Sequence, residues 1–421
     1  MHWDWARPRA RTLVTCAVAV GAALAVTAGC SSPAAAPATP SASSLHPSAV
    51  TSSPGTASAS LASPSPSVSC AAQVFGQLTE AQRVGQLFLV GVTDDIAGPQ
   101  TTAALQQYHF GSLLLYSTSE GVTALAAATA HMQSLGTAND GGVRMFIAAN
   151  QEGGQVQQLT GPGFSVMPSA LTQGTWSTAT LRSAAAGWAR ELRAAGVNFD
   201  LAPVMDVVPA ATAASNAPIG ALEREFGSTP AGNGAHGAAF ITGMASAGVA
   251  TSAKHFPGLG RVTGNTDFTA DVVDNVTTPN DPDLGSFRAA VVAGVSFVMV
   301  ALATYTLIDR TQLAVFSPTV MKLVRSGSGS GSGSGLGFGG VIMSDDLGDA
   351  LAVQSIPAAS RAISFLTAGG DMITSQSLAP AQAMAAAVLA KASSSPSFRA
   401  VVDAAAQRIL AAKQGSGLLT C

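Results

Sequence analysis

Eight short apolar runs alternate with alanine-rich stretches of helical spacing, and this alternation constrains the fold more than any other feature of the chain. The runs occupy residues 84–92, 111–117, 144–150, 198–204, 248–255, 295–303, 339–346 and 369–374. Because their apolar residues are mostly consecutive and do not alternate with polar ones, the runs are typical of parallel strands that are buried on both faces. Eight such strand–helix units predict an α/β fold, a single-domain (β/α)8 TIM barrel. A doubly wound open sheet is the alternative.

The amino-terminal segment has the pattern of an export signal. Three arginines precede an apolar stretch over residues 13–28, which is short for a membrane span and ends in small residues before Cys30. We interpret residues 1–29 as a lipoprotein signal peptide that is removed when Cys30 receives its lipid. A plain signal peptide is the alternative, in which case the protein is secreted.

Two segments follow this signal. Residues 30–69 consist almost wholly of Ser, Ala, Pro, Thr and Gly, and such a composition buries too little apolar surface to offset the entropy of ordering. We therefore predict a disordered tether there. Residues 70–421 are predicted to form the barrel domain, held by the tether at the outer face of the cell membrane.

The four cysteines fit an exported protein. Cys16 lies in the predicted signal peptide and Cys30 is the predicted lipidation site, which leaves Cys70 and Cys421. In an oxidising compartment, two remaining cysteines favour a disulfide. A bridge between them requires the two ends of the folded domain to meet, as the ends of a closed barrel do.

Composition also limits the partners. A net charge of −3 and 10% charged residues argue against nucleic-acid binding. Beyond the signal segment the sequence has no apolar stretch of about 18 residues, so we expect membrane contact only through the lipid anchor. Without an HExxH motif or a cluster of His and Cys ligands, we expect no metal and no other cofactor. The protein is expected to be a monomer.

Polar residues stand at or just after the carboxyl ends of the predicted strands, where a barrel places its active site. They include Asn150, Asp206, Arg224, Lys254, His255 and Asp345. Carboxylates, an amide and cations in one mouth suit the hydroxyl groups of a sugar. A carboxylate on a strand and an acid on a loop indicate retaining glycoside hydrolysis, with Asp345 as nucleophile. For Glu152, Asp346 and Asp371 we favour helix capping or loop-stabilising hydrogen bonds.

Five segments resemble the barrel domain of glycoside hydrolase family 3, in its β-N-acetylglucosaminidase (NagZ-type) branch, which has lipid-anchored forms on actinobacterial surfaces. They read "NQEGGQVQ", "APVMDV", "REFG", "KHFPGLG" and "VIMSDDL". The resemblance implies that Asp345 forms the covalent glycosyl intermediate and that Lys254, His255 and Arg224 hold the sugar. At two binding positions the chain departs from the family pattern: Asn150 replaces an Asp, and Gln158 replaces an Arg.

The largest departure lies in the loop after the fifth strand. The family has an Asp-x-His pair there, whose His is the general acid/base, and counting from Lys254 places this pair on Asn265 and Asp267. We hypothesise that Asp267 replaces the His, since burial or the charge of Asp345 can raise the pKa of a carboxyl group. Alternatively, the loop only binds substrate, and another group or water protonates the leaving oxygen.

These features predict a retaining β-N-acetylhexosaminidase that removes terminal β-linked N-acetylglucosamine from peptidoglycan-derived or related glycans. Two alternatives stay open at this point. The chain could be another glycosidase or a phosphorylase of the same family, or a catalytically impaired glycan-binding lipoprotein.

Overall fold

The computed structural model describes residues 69–92, 96–327 and 335–421. The predicted signal peptide, the lipidation site at Cys30 and all but the last residue of the predicted tether lie outside the described residues, so they stay predictions. Within the described ranges, no helix combines the length and the apolar character that a membrane span requires.

Eight parallel strands form a closed barrel at the centre of the domain. In chain order they are β1 (Phe88–Val92), β2 (Ser112–Leu115), β3 (Phe146–Ala149), β4 (Phe199–Asp200), β5 (Ala250–Phe256), β6 (Phe297–Val300), β7 (Val341–Asp346) and β8 (Met372–Ser375). Each strand pairs with the next along the chain, and β8 closes the sheet against β1. The predicted (β/α)8 barrel is therefore confirmed, and each strand overlaps the apolar run predicted for it.

Helices connect the strands and cover the barrel. They are α1 (Cys70–Gln77), α2 (Glu80–Gln86), α3 (Pro99–Tyr108), α4 (Val122–Asn139), α5 (Ala170–Gln173), α6 (Thr178–Ala194), α7 (Pro230–Ser246), α8 (Leu284–Val292), α9 (Pro318–Arg325), α10 (Ala358–Ala368), α11 (Leu378–Ser394) and α12 (Pro396–Gly415). Local sequence sets where they begin. At the start of α2, the Thr79 hydroxyl accepts from the Gln82 amide at 3.2 Å and the Gln82 side chain accepts from the Thr79 amide at 2.9 Å, a capping box.

Aromatic rings fill the amino-terminal half of the barrel. Phe199 stacks on Phe297 with centroids 4.1 Å apart, and Phe146 meets Phe297 edge-on at 5.3 Å. Beneath them, the fully buried Lys413 of α12 donates to Gln86 Oε1 at 2.6 Å and to the Gly111 carbonyl at 2.8 Å. Burial lowers the pKa of Lys413 to about 7. This end of the barrel is thus closed, which leaves the carboxyl ends of the strands as the open face.

A disulfide joins Cys70 to Cys421, as predicted. It links the start of α1 to the last residue of the chain, where α1 packs against α12 through a small apolar cluster. The bridge spans 351 residues of sequence, so it restricts the unfolded chain strongly.

Reducing this bridge is expected to lower the free energy of unfolding by about 2–5 kcal/mol, because the unfolded chain regains the entropy of an open loop. Urea unfolding with and without a reducing agent measures the difference. The matched control is the Cys70→Ser/Cys421→Ser double variant, whose midpoint should not respond to the reductant. Equal midpoints for oxidised and reduced wild type would contradict the prediction.

Candidate active site

The strand ends gather the predicted polar residues at one mouth of the barrel. Lys254 and His255 lie near the end of β5, Asp345 lies near the end of β7, and Asn150 directly follows β3. Arg224 reaches the same mouth from the loop between β4 and α7, following a short 3-10 turn over Gly220–Leu222.

A buried ion cluster lies at the centre of the mouth. The Glu152 carboxylate accepts from Lys254 Nζ at 2.6 Å and forms a two-point contact with the Arg224 guanidinium at 2.8 Å for each bond. Burial alone would raise the pKa of Glu152, but the charges of Arg224 and Lys254 outweigh it and lower the pKa to about 2. Glu152 stabilises the loop that carries Arg224, in line with the prediction for it, and in addition it pairs with Lys254 of β5. The place of Glu152 two residues after Asn150 in "NQEGG" was the available signal.

Glu152→Gln is expected to destabilise the protein by about 3–5 kcal/mol at neutral pH, because two buried cations lose their counter-ion. The native pKa of about 2 lies below the ordinary 4.5, so the carboxylate stabilises fully above pH 4.5 and less as pH falls toward 2. Consequently, the difference in unfolding free energy between wild type and Glu152→Gln, measured by chemical unfolding, should become smaller as the pH falls from 4.5 toward 2. Glu223→Gln, at an exposed glutamate, is the control and should stay near wild type. A constant gap from pH 7 to 3 would count against the assignment.

Two neutral amides stand where the family has a charged pair. Asn150 Oδ1 accepts from Lys254 Nζ at 2.7 Å, and the Asn150 backbone N–H donates to Gln158 Oε1 at 3.0 Å. The Gln158 backbone N–H in turn donates to the Asn150 backbone carbonyl at 3.2 Å. Lys254 fixes the oxygen of the Asn150 side-chain amide, and the NH₂ group of that amide donates to Gln158 Oε1 at 3.5 Å. The second N–H of the NH₂ group is left for a ligand hydroxyl. Both departures from the family pattern thus lie side by side.

His255 is oriented by Asp206. The fully buried Asp206 carboxylate lies 2.8 Å from His255 Nδ1 and also accepts from the backbone amides of His255 at 3.1 Å and Leu259 at 2.8 Å. This partner places the ring proton on Nδ1 and leaves Nε2 as the other ring atom for a ligand. Asp206 was predicted to bind substrate. The structure instead places it behind His255, where its oxygens hold the ring and the start of the following loop.

Backbone hydrogen bonds join the loop after β5 to the segment after β7. Asn265 Oδ1 accepts from the Asp267 amide at 3.0 Å, and the Asp267 carbonyl accepts from the Leu351 amide at 3.1 Å. A parallel bond of 3.1 Å joins the buried Thr266 to Ala352. Asn265 stands at the position of the Asp in the family's Asp-x-His pair, and its side chain positions the backbone of Asp267. No sequence pattern predicted the contacts with Leu351 and Ala352.

The half-buried Asp267 carboxyl has a pKa raised to about 6, by burial first and then by the charge of Asp345. Arg224, His255 and Lys254 oppose this rise with their positive charges. The Asp345 carboxylate accepts from the Asp346 amide at 2.8 Å. Two carboxyl groups thus interact at the mouth, and Asp267 can carry a proton near neutral pH.

The remaining acidic residues are structural. Asp346 is buried and accepts from the amides of Gly348, Asp349, Ala350 and Gln376, so it stabilises the loops after β7 and β8, as predicted. Burial raises its pKa to about 7. Asp371 precedes β8 at the opposite end of the barrel and pairs with Arg325 and Arg408. Both lie outside the group that can contact a ligand.

Comparisons with known proteins agree with this geometry. The description "Glycosyl hydrolase family 3 N terminal domain" fits residues 79–412. A solved β-N-acetylhexosaminidase from Beutenbergia cavernae DSM 12333 is 45% identical and superposes with a TM-score of 0.76. The match covers 80% of this chain and 99% of the solved chain.

Mycobacterial relatives are more distant. β-Hexosaminidase LpqI of Mycobacterium tuberculosis is 31% identical over 319 residues, which make up 74% of this chain and 77% of the relative. The solved LpqI structure superposes with a TM-score of 0.68 at 26% identity, over 82% of this chain and 96% of that one.

Proposed function

This chain belongs to glycoside hydrolase family 3 and is a β-hexosaminidase, and we propose that it removes terminal β-linked N-acetylglucosamine with Asp345 as nucleophile and Asp267 as acid/base. The assignment of roles is supported by the position of the two carboxyl groups at the same mouth, where the negative charge of Asp345 helps to raise the pKa of Asp267. Asp267, with its pKa raised to about 6, carries a proton at mildly acidic pH, and Asp345 lies on strand β7.

In the first step, Asp345 attacks the anomeric carbon while Asp267 donates its proton to the glycosidic oxygen, and the bond between carbon and leaving group breaks. Ester formation removes the negative charge of Asp345, which had raised the pKa of Asp267. The pKa of Asp267 therefore falls, so Asp267 stays ionised after it has donated its proton and can act as the base. In the second step it takes a proton from water, which attacks the anomeric carbon and releases Asp345.

Sugar binding is assigned to the cluster beneath these two groups. Arg224 and Lys254 offer N–H donors that Glu152 already orients, and Asn150 and Gln158 add neutral amides. His255 contributes its Nε2 atom. Because the cluster is fixed by internal hydrogen bonds before a ligand arrives, little side-chain entropy is lost on binding.

We further propose the domain organisation and address of the protein: signal peptide over 1–29, lipid on Cys30, tether over 30–69 and barrel over 70–421. This arrangement supports an exported, membrane-anchored enzyme that acts as a monomer on peptidoglycan-derived glycans. Globomycin, which blocks lipoprotein signal peptidase, should cause a larger, unprocessed form to accumulate if the anchor is real.

Mass spectrometry of a trapped intermediate tests the enzyme assignment. A 5-fluoro β-N-acetylglucosaminyl fluoride should add one sugar mass to the intact protein, and peptide mapping should place it on Asp345. An unlabelled protein that still binds N-acetylglucosamine would indicate the glycan-binding alternative. Sugar 1-phosphate as product in phosphate buffer would indicate a phosphorylase.

A further inference from the structure

Barrel topology places the far edge of the retained sugar against the end of β3. In the closed sheet, β3 and β7 are separated by four strand positions in either direction, so they lie on opposite sides of the mouth. Asp345 lies on β7 and is the proposed partner of the anomeric carbon, C1, whereas Asn150 directly follows β3. Because C4 lies opposite C1 across a pyranose ring, a sugar with C1 at Asp345 directs C4 and the neighbouring C6 group toward Asn150.

The polar groups at this edge are mainly hydrogen-bond donors. The Lys254 ammonium donates to Asn150 Oδ1 at 2.7 Å and contacts Glu152 Oε1 at 2.6 Å, so one of its three N–H groups is left for a ligand among the described hydrogen bonds. The Asn150 amide likewise keeps one N–H. Arg224 uses three of its five N–H groups on Glu152 and the Pro218 carbonyl. Three neighbouring side chains therefore direct donors at the edge that holds C4 and C6.

The carboxyl groups of the same cluster are turned away from the ligand. Glu152 is buried, and its two oxygens already accept from Lys254 and Arg224. The Asn150 side-chain oxygen is held by Lys254. Asp200 is fully buried at the end of β4, and burial raises its pKa well above the ordinary value, so this carboxyl group adds little negative charge. The described side chains at this edge thus offer few acceptors for the proton of a sugar hydroxyl.

Two amides replace a charged pair at this edge, with Asn150 where the family has an Asp and Gln158 where it has an Arg. Gln158 lies behind Asn150 and accepts from its backbone N–H at 3.0 Å. A carboxylate in place of the Asn150 amide would accept from ligand hydroxyls, whereas the amide presents an N–H. The edge then has positive charges on Lys254 and Arg224 and one negative charge on Glu152, a sum of +1. Such an edge attracts an anionic group.

We propose that this edge favours a retained sugar with a carboxylate at C6, a β-linked hexuronic acid, over the 6-hydroxyl sugar, and that Asn150 determines this selectivity. A carboxylate only accepts hydrogen bonds, which matches the donors of Lys254, Asn150 and Arg224. Hydrogen bonds between charged groups are about twice as strong as neutral ones. The inference rests on the proposed function, because the position of Asp345 at C1 fixes which edge of the sugar meets Asn150.

Calorimetry on the full chain compares two sugars that differ only at C6. N-Acetylglucosamine has a hydroxymethyl group there, whereas 2-acetamido-2-deoxyglucuronic acid has a carboxylate. Wild type is expected to bind the acid about tenfold more tightly. Asn150→Asp should reverse this order, because the new carboxylate repels the acid and accepts from the hydroxyl of N-acetylglucosamine. The 4-nitrophenyl β-glycosides of the two sugars should show the same reversal in kcat/KM.

Asn280→Asp is the matched control, since it adds the same charge at an exposed residue before α8, and it should leave both affinities as in wild type. Weaker binding of the acid than of N-acetylglucosamine by wild type would overturn the proposal. An affinity for the acid that Asn150→Asp leaves unchanged would do so too, as would binding of neither sugar. Calorimetry needs no turnover, so failure of the proposed hydrolysis shows separately, as the absence of a 5-fluoro sugar adduct on Asp345.

Discussion

Replacement of Asp345 by Asn is expected to lower kcat/KM for β-N-acetylglucosaminides by about 10⁴- to 10⁶-fold, because the amide cannot form the covalent intermediate. The amide is nearly isosteric with the carboxylate, and its oxygen can still accept from the Asp346 amide, a bond of 2.8 Å in wild type. The loss should therefore be in turnover and not in folding. Release of 4-nitrophenol, together with thermal unfolding of the same preparation, measures both.

Asp349→Asn is the matched control for this variant. Asp349 lies four residues further on, in the loop after β7, and is exposed; its side chain accepts only from Ser377 among the described hydrogen bonds, at 3.2 Å. The activity of the Asp349→Asn variant should stay within severalfold of wild type. Substantial turnover by Asp345→Asn, with no sugar adduct on any peptide, would remove Asp345 from the role of nucleophile.

Asp267→Asn is expected to lower kcat/KM by about 10²- to 10⁴-fold for a disaccharide, whose leaving group needs a proton. For 2,4-dinitrophenyl N-acetylglucosaminide the first step should be nearly unaffected, because that leaving group departs as a stable anion. The second step still lacks its base, so the glycosyl-enzyme should accumulate. Added azide, which attacks without a base, should speed the breakdown of this intermediate and give a β-glycosyl azide.

The pH profile gives an independent readout of Asp267. Its carboxyl is active as an acid only while protonated, and its raised pKa is about 6. For wild type, kcat/KM for the disaccharide should therefore fall as pH rises through about 6, with a limiting slope of tenfold per pH unit. The Asn variant should lack this limb, whereas Asp271→Asn, at an exposed residue of the same loop, should keep it. An unchanged profile in Asp267→Asn would assign the proton donor to another group.

Much of the fold followed from local pattern. Apolar runs without polar alternation indicated strands buried on both faces, and their number indicated a closed barrel. Because a barrel collects the carboxyl ends of its strands, the convergence of Lys254, His255 and Asp345 on one mouth also followed from sequence. The bridge between Cys70 and Cys421 was predicted independently of the barrel, from the expectation of export and from the two cysteines that remain outside the signal segment.

Chemical roles within the mouth were not set by residue type or spacing. Glu152 and Asp206 are both carboxylates near strand ends, yet Glu152 contacts the two cations of the site while Asp206 lies behind His255. Which of them meets the mouth depends on side-chain direction and on the neighbours across the barrel, and these arise only when distant strands pack together.

The sequence by itself therefore determined the barrel, its disulfide and the set of polar residues at its open end, because each depends on periodicity or on chain topology. Tertiary structure decided which charged side chains form pairs and which carboxyl group has a raised pKa. The pKa of Asp267 depends on burial and on the distance to Asp345, which lies 78 positions further along the chain. Likewise, the contact of Leu351 with the Asp267 turn exists only because the loops after β5 and β7 fold against each other.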